Sequence, residues 1–408
     1  MVLDLIPLLI ALVGLVLYTV LGGADFGAGL WQLLAGSGER GRALRDHAHR
    51  ANAPVWEANH VWLILVLTVV WTTYPSFFGS VCSTLAIPLF LAAIGIVFRG
   101  LTYALHYATD VPRERRVIDV TFSISSILTP FMLGTVVGAI ASDRVPVGNA
   151  AGNAITSWTN PTSLMSGVLA VCTGAFLSAV YLAADARRFS ESGISEAFRT
   201  RAVASALITG VLALATLAVA HQDAPRLYDG LTSGLGLAAV VVSGVAGLAS
   251  LGLVWLRRYT TARLAAAVAV AGLLAGWAAA QRPDLLPGLT VQEAAADNAT
   301  LIAVIVSIAV GAVILFPSLA FLFRLVLTGR LDPGRLTPAS HPVGPDARRP
   351  AWAGRAAVAC FVLGTALFVF ADGDAAHTVA VIAFAVTAVF AYAAIGPDQL
   401  AARESEPE

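Results

Sequence analysis

Residues 54–63 read PVWEANHVWL. The stretch opens a long apolar run, yet it holds a carboxylate (Glu57), an amide (Asn59) and an imidazole (His60) between Trp56 and Trp62. The surrounding chain makes this unusual. Of its 408 residues 58% are hydrophobic and only 12% charged, with a mean hydropathy of +0.79. Soluble domains carry about a quarter charged residues, so lipid must solvate most of this chain. Lys and Arg together balance Asp and Glu at 25 each, which gives no bulk attraction towards nucleic acid. Cys82, Cys172 and Cys360 each lie inside an apolar run, far apart and without a CxxC, and read as buried small hydrophobes. With Asp4 and no basic n-region, the first apolar stretch is expected to be a retained helix rather than a cleaved signal.

A helix crosses the hydrocarbon layer in about 20 residues. On that ruler the apolar runs predict eleven spans: 3–24, 58–77, 81–104, 118–141, 162–184, 202–221, 231–255, 262–280, 299–326, 353–371 and 376–396. The second and third form a tight pair across TTYPSFFGS. Arginines cluster in alternate loops: Arg40 to Arg50, Arg113 to Arg116, Arg187 to Arg201, Arg257 to Arg263, and Arg324 to Arg355. The opposite loops hold only Arg144, Arg226 and Arg282. Basic loops mark the cytoplasmic side, so the N-terminus is expected outside and the C-terminus inside. The longest polar stretch, TGRLDPGRLTPASHPVGPDARRP (328–350), reads as a cytoplasmic Pro/Arg-rich linker between a nine-span body and a two-span hairpin. The expected divisions are 1–327, a linker 328–351, a hairpin 352–398 and an acidic tail 399–408.

Ionisable groups at membrane depth are functional candidates by default. Span direction and a rise of about 1.5 Å per residue place Asp25, Glu57, His60 and Arg99 near the inner surface on three consecutive helices, with His106 and Asp119 following on the same side. A carboxylate there can exchange protons with water, a histidine one turn deeper can relay them, and an arginine keeps the carboxylates ionised. The competing reading is an ion-pair set that ties three helices together. Upstream, LGGADFGAGLW (21–31) contains Gly23 and Gly27 as a GxxxG around Asp25, which predicts a close helix crossing that buries one carboxylate. Trp56 and Trp62 read as interface anchor and packing. A haem would need axial ligands at membrane depth. His47, His49 and His341 fall in loops on this reading, His221 and His377 at outer ends, and no facing pair emerges for His60 or His106. No haem and no metal site is therefore expected in this chain.

GGADFGAGLW, PVWEANHVWL, IPLFLAAIGIVFRG (87–100) and LFPSLAFLFRLVLTGRL (315–331), in that order, resemble subunit II of the cytochrome bd-type quinol oxidases. The likeness covers roughly residues 1–330 and is densest over 20–100. It implies an all-α polytopic fold of nine helices, arranged as two four-helix bundles plus a peripheral helix. It also implies a partner, subunit I, which carries haems b and d and the quinol site in a bacterial cytoplasmic membrane. Subunit II of that family is haem-free, supports the haem subunit, holds a structural quinone in some members, and contributes a cytoplasmic proton-entry path. The family's acidic residue falls on Glu57, its glycine-flanked aspartate on Asp25 and its third-helix arginine on Arg99. Two departures stand out. In FRGLTYALHY (98–107), Ala104 occupies the place where many relatives carry a second acid, with His106 near by. The hairpin beyond residue 352 is extra; its turn ADGDAAH (371–377) reads as solvated rather than metal-binding, and the hairpin is expected to pack on the periphery. Two other readings stand beside this one: a stand-alone proton-coupled transporter using Asp25 and Glu57, and a scaffold that has lost proton conduction.

Overall fold

The computed structural model describes residues 3–52, 56–105, 112–189, 191–327 and 351–370, together with 376, 378–380, 382–383, 386–387 and 390. His106, His377, Asp372, Asp374, the linker 328–350 and the tail 399–408 lie outside the described residues, as do the side chains of Trp56, Glu57 and Ala104.

The first span opens with α1 (Ile6–Leu17), passes through a π-helical turn (Tyr18–Gly22) and continues as α2 (Gly23–Leu33). Two helices then cover the region expected as loop and second span, α3 (Gly38–Asn52) and α4 (Trp56–Thr73). There follow α5 (Pro75–Thr84), α6 (Ala86–Leu105), α7 (Pro112–Ala141), α8 (Pro161–Arg188) and α9 (Ser192–Asp223). A short α10 (Pro225–Leu231) leads to the hairpin of α11 (Gly234–Trp255) and α12 (Tyr259–Gln281). Strands β1 (Asp284–Leu286) and β2 (Leu289–Thr290) pair antiparallel ahead of α13 (Val291–Ala294), α14 (Asn298–Leu327) and α15 (Ala351–Phe370).

The chain is an all-α polytopic membrane protein. Among the described residues eight helices are long and apolar enough to span, or nine if the bent pair Asn59–Thr73 and Pro75–Thr84 is one span. Helices α1, α2, α4, α6 and α7 pack together, and so do α8, α9, α11 and α12; α2 and α7 meet α8 where the groups join. Few residues of α14 are buried, as a peripheral helix requires. The described residues fall into two compact units, 1–316 and 317–408. In the second, α15 meets the expected span 353–371, and the expected span 376–396 lies largely outside the described residues.

Three expectations are corrected. The first span does not end at residue 24; its helix runs to Leu33. Glycines and an aspartate look like a helix end in isolation, but here they are interior because other helices press against them. TTYPSFFGS is not a loop. Pro75 cannot extend α4, since it lacks the N–H and crowds the preceding turn, but it suits the first position of a new helix, and α5 leaves α4 at 118°. Finally, His47 and His49 do not lie in a loop but on α3, whose Leu44, His47 and Ala48 form a buried stripe at helical spacing.

The GxxxG reading holds at the level of atoms. A Cβ on Gly27 would overlap the Gly174 carbonyl of α8, and one on Gly23 would meet Leu177 Cδ1 at 3.3 Å. Backbone thus touches backbone, as small-residue crossings in lipid require. Gly27→Ala should lower the thermal midpoint of the purified protein by several degrees, since overpacking costs about 1–3 kcal/mol. Gly210→Ala, with open space around it inside α9, should not lower it in the same melt, since alanine is the better helix former.

Candidate functional site

The site forms where α2, α4, α6 and α7 converge. Asp25 and Arg99 are each only 1% exposed. Arg99 Nη2 lies 2.5 Å from Asp25 Oδ1 and 3.0 Å from the Asp25 backbone oxygen. Its other amino group, Nη1, donates to Ser126 Oγ of α7, and that hydroxyl donates in turn to the Phe122 carbonyl. The planar fork of arginine allows this; one guanidinium reaches two helices at once. Its face is used as well. Arg99 Cζ sits 4.5 Å from the Phe122 ring centroid, 4.7 Å from Phe26 and 5.6 Å from Tyr103. Ring quadrupoles favour a cation there, so the charge is matched by a carboxylate in its plane and by aromatics around it.

Tyr103, one turn after Arg99, donates to Asp25 Oδ1 at 3.3 Å. On the other side, His60 packs edge-on to Tyr18 and Phe26, with ring centroids 6.3 and 6.4 Å away. Asn59, buried beside it, donates from Nδ2 to the Leu21 carbonyl at 3.3 Å. Leu21 belongs to the π-helical turn, a wider coil that shifts carbonyls off the α-helical ladder and recurs at functional sites. The amide of PVWEANHVWL thus holds the irregular turn that delivers Asp25 to Arg99. Among the described residues Asp25 Oδ2, Arg99 Nε and the Tyr18 hydroxyl have no hydrogen-bond partner.

The structure brings together Asp25, Arg99, Asn59 and His60 from three consecutive spans. Asp25 is deeper than expected: α2 continues eight residues, about 12 Å, past it. Trp62 is half-buried on α4. Glu57 and Trp56 open α4, their side chains not described, and His106 falls outside the described residues. Several residues escaped the sequence reading. Tyr103 was open to discovery as the helical neighbour of Arg99. Ser126, Phe122 and Gly174 were not, because only the fold aligns them. Arg99→Lys should destabilise the protein by about 1–3 kcal/mol, because a compact ammonium cannot span Asp25 and Ser126 together. Tyr103→Phe should cost about 1 kcal/mol or less. Thermal denaturation in one detergent ranks the two.

The model of the family described as cytochrome bd terminal oxidase subunit II matches residues 3–326. A Bacillus subtilis (strain 168) protein assigned by name as a cytochrome bd menaquinol oxidase subunit II is 24% identical over 327 residues, covering 76% of this chain and 92% of that one. A second protein of that organism, a cytochrome bd ubiquinol oxidase subunit 2, is 26% identical over 114 residues, 28% of this chain and 33% of its own length. Among solved structures, the bd oxidase from Geobacillus thermodenitrificans superposes with a TM-score of 0.61 at 25% identity, covering 80% of this chain and 99% of the matched one.

Proposed function

The chain belongs to the cytochrome bd terminal oxidase subunit II family, and from that premise we propose that it is the haem-free subunit of a quinol:oxygen oxidoreductase, bound to a haem-bearing subunit I in a bacterial cytoplasmic membrane. The observation that carries the reading is the family match across nine-tenths of a relative's length, joined to the Asp25–Arg99 pair on the motifs that define the resemblance. Family membership places quinol oxidation and oxygen reduction in the complex as a whole; we assign haems b and d to subunit I. In this chain His47 Nε2 lies 3.1 Å from the Leu182 carbonyl and Nδ1 2.7 Å from Glu191 Oε2, so both ring nitrogens face protein oxygens. The stand-alone transporter reading is not favoured by these findings.

Within that complex the chain's residues have two roles. Asp25, Arg99, Ser126, Asn59 and the glycine crossing hold the first five spans in register. We assign Glu57, His60 and Asp25 to a route by which protons move in from the cytoplasmic side, with His106, two positions after Ala104 in the sequence, as a further candidate. Support for the second role comes from unused hydrogen-bonding capacity on Asp25 Oδ2 and Tyr18, since a buried polar atom without a partner calls for an explanation and a role in function is one. Orientation with the N-terminus outside follows the arginine distribution. A structural quinone and surrounding lipid complete the ligands we assign.

The test is purification of a tagged chain in mild detergent, with a visible spectrum and identification of co-purifying subunits. A haem-bearing partner and quinol-dependent oxygen uptake are expected. Glu57→Gln should then slow oxygen uptake about 10²-fold or more, the scale of a lost proton-transfer group, with the haem spectrum intact. A colourless chain purified alone, stable and without partner, would contradict the assignment; full activity in Glu57→Gln would remove the proton role and leave the scaffold.

A further inference from the structure

The turn from α8 to α9 meets the turn from α11 to α12, and a cavity of about 530 Å³ opens between them. It is lined by Arg187, Ser192, Ser195, Glu196, Arg257 and Tyr259. Positive charge exceeds negative there. Glu196 is the one carboxylate of the lining, and two arginines divide it: Arg199 holds Oε1, and Arg257 Nη2 lies 3.3 Å from Oε2. Arg187 has no carboxylate partner among the described residues. Its Nη1 donates to the Arg257 carbonyl at 3.3 Å, and its Cζ lies 5.9 Å from the Tyr259 ring centroid. Of the carboxylates near by, Asp185 is engaged by Arg263 at 2.7 Å and Glu191 by Arg50 at 3.0 Å. The long helices α9 and α12 begin here without a side-chain cap, so the unpaired N–H groups of their first turns add partial positive charge.

The backbone sets Arg257 apart. Helix α11 ends in a Schellman turn: the Arg257 N–H donates to the Val254 carbonyl at 3.0 Å and the Arg258 N–H to that of Leu253 at 2.8 Å. Arg257 takes a φ of 59°, the left-handed position that glycine adopts freely and a side chain disfavours. Arginine therefore serves this turn less well than glycine. Its pair with Glu196 joins side chains 58% and 47% exposed, and pairs of that kind contribute little. What the arginine adds is charge at the cavity.

The surface beside the cavity is apolar. Trp255 and Leu256, immediately before Arg257, are 65% and 67% exposed, and Phe189, two residues after Arg187, is 61% exposed. Arginines and uncapped helix ends suit an anionic head group, and basic pockets between spanning helices hold such head groups. The apolar flank suits acyl chains and has no use for a free anion. We infer that this cavity binds the phosphoryl head group of an anionic phospholipid, with Arg187 and Arg257 on the phosphate and acyl chain against Trp255, Leu256 and Phe189. This requires only that the chain spans a membrane and is independent of the oxidase role proposed above.

Native mass spectrometry tests this on the purified full chain with whatever subunits accompany it, delipidated and then titrated with phosphatidylglycerol or phosphatidylcholine. The thermal midpoint of each variant is measured alongside, without added lipid. Phosphatidylglycerol should bind about tenfold or more tightly than phosphatidylcholine, the scale of a hydrogen bond to a charged group. Arg257→Gly should weaken phosphatidylglycerol binding about tenfold or more, yet its lipid-free midpoint should not fall, since glycine suits the left-handed turn. Arg187→Gln should weaken binding likewise. Arg42→Gln, at an exposed arginine of α3 outside the cavity, should leave it unchanged. Equal binding of the two lipids overturns the inference, as does full affinity in Arg257→Gly. An equal loss in Arg42→Gln also overturns it, because the attraction would then belong to the whole basic face. Inorganic phosphate at millimolar concentration should not displace the lipid; displacement would mean a free-anion site and overturn the lipid assignment. If either cavity variant lowers the lipid-free midpoint, the other variant and the wild-type comparison of the two lipids decide by the same criteria.

Discussion

One buried ion pair sets the terms for the first half of this protein. Two opposite charges, each almost sealed from solvent, are costly to bring out of water, and they persist only where geometry is good and remaining hydrogen-bond sites are filled. Arg99 supplies the geometry by spending its fork on Asp25 and Ser126 and its faces on Phe26, Phe122 and Tyr103, although Asp25 Oδ2 and Arg99 Nε have no hydrogen-bond partner among the described residues. Those contacts place demands on α2 and α7 as well as on α6 itself. Asp25 must approach closely, so its helix widens into a π turn, and Asn59 holds the Leu21 carbonyl of that turn. The same helix must lie against α8 without side chains between, so Gly27 faces Gly174.

This constraint explains what was legible in the sequence. Asp25, Arg99 and the glycines were visible because charge and small residues are rare in apolar spans and each has few physical uses there. The convergence of Asp25, His60 and Arg99 followed from span direction alone. Family membership was legible in four short motifs whose order and spacing carry more information than any one of them. The all-α polytopic fold class needed no tertiary information, and the bundle arrangement was implied by the family resemblance.

What was not legible depended on partners brought by the fold. Ser126 and Phe122 look like ordinary helix residues until α7 is set beside α6. Gly174 is one small residue among many in α8. The end of the first span was misplaced because glycine and aspartate usually mark helix ends; here the ion pair and the crossing make them interior. Helix α3 was hidden by its charge: GERGRALRDHAHRAN reads as a basic loop, and only the spacing of Leu44, His47 and Ala48 betrays a buried face. The second span was drawn through Pro75 to residue 77, whereas that proline both ends α4 and starts α5.

The central claim is that Asp25 and Arg99 act as one unit that holds three spans together. A double-mutant cycle with Asp25→Asn and Arg99→Gln, read as unfolding free energy of the purified protein, addresses it directly. Each single variant strands a buried charge or its partner, which typically costs about 3–5 kcal/mol. The double variant should be less destabilised than the sum of the two by at least about 1 kcal/mol, the coupling expected of residues in contact. Strictly additive losses would mean that the two residues stabilise the protein independently, and the account of the fold built on their pairing would be wrong.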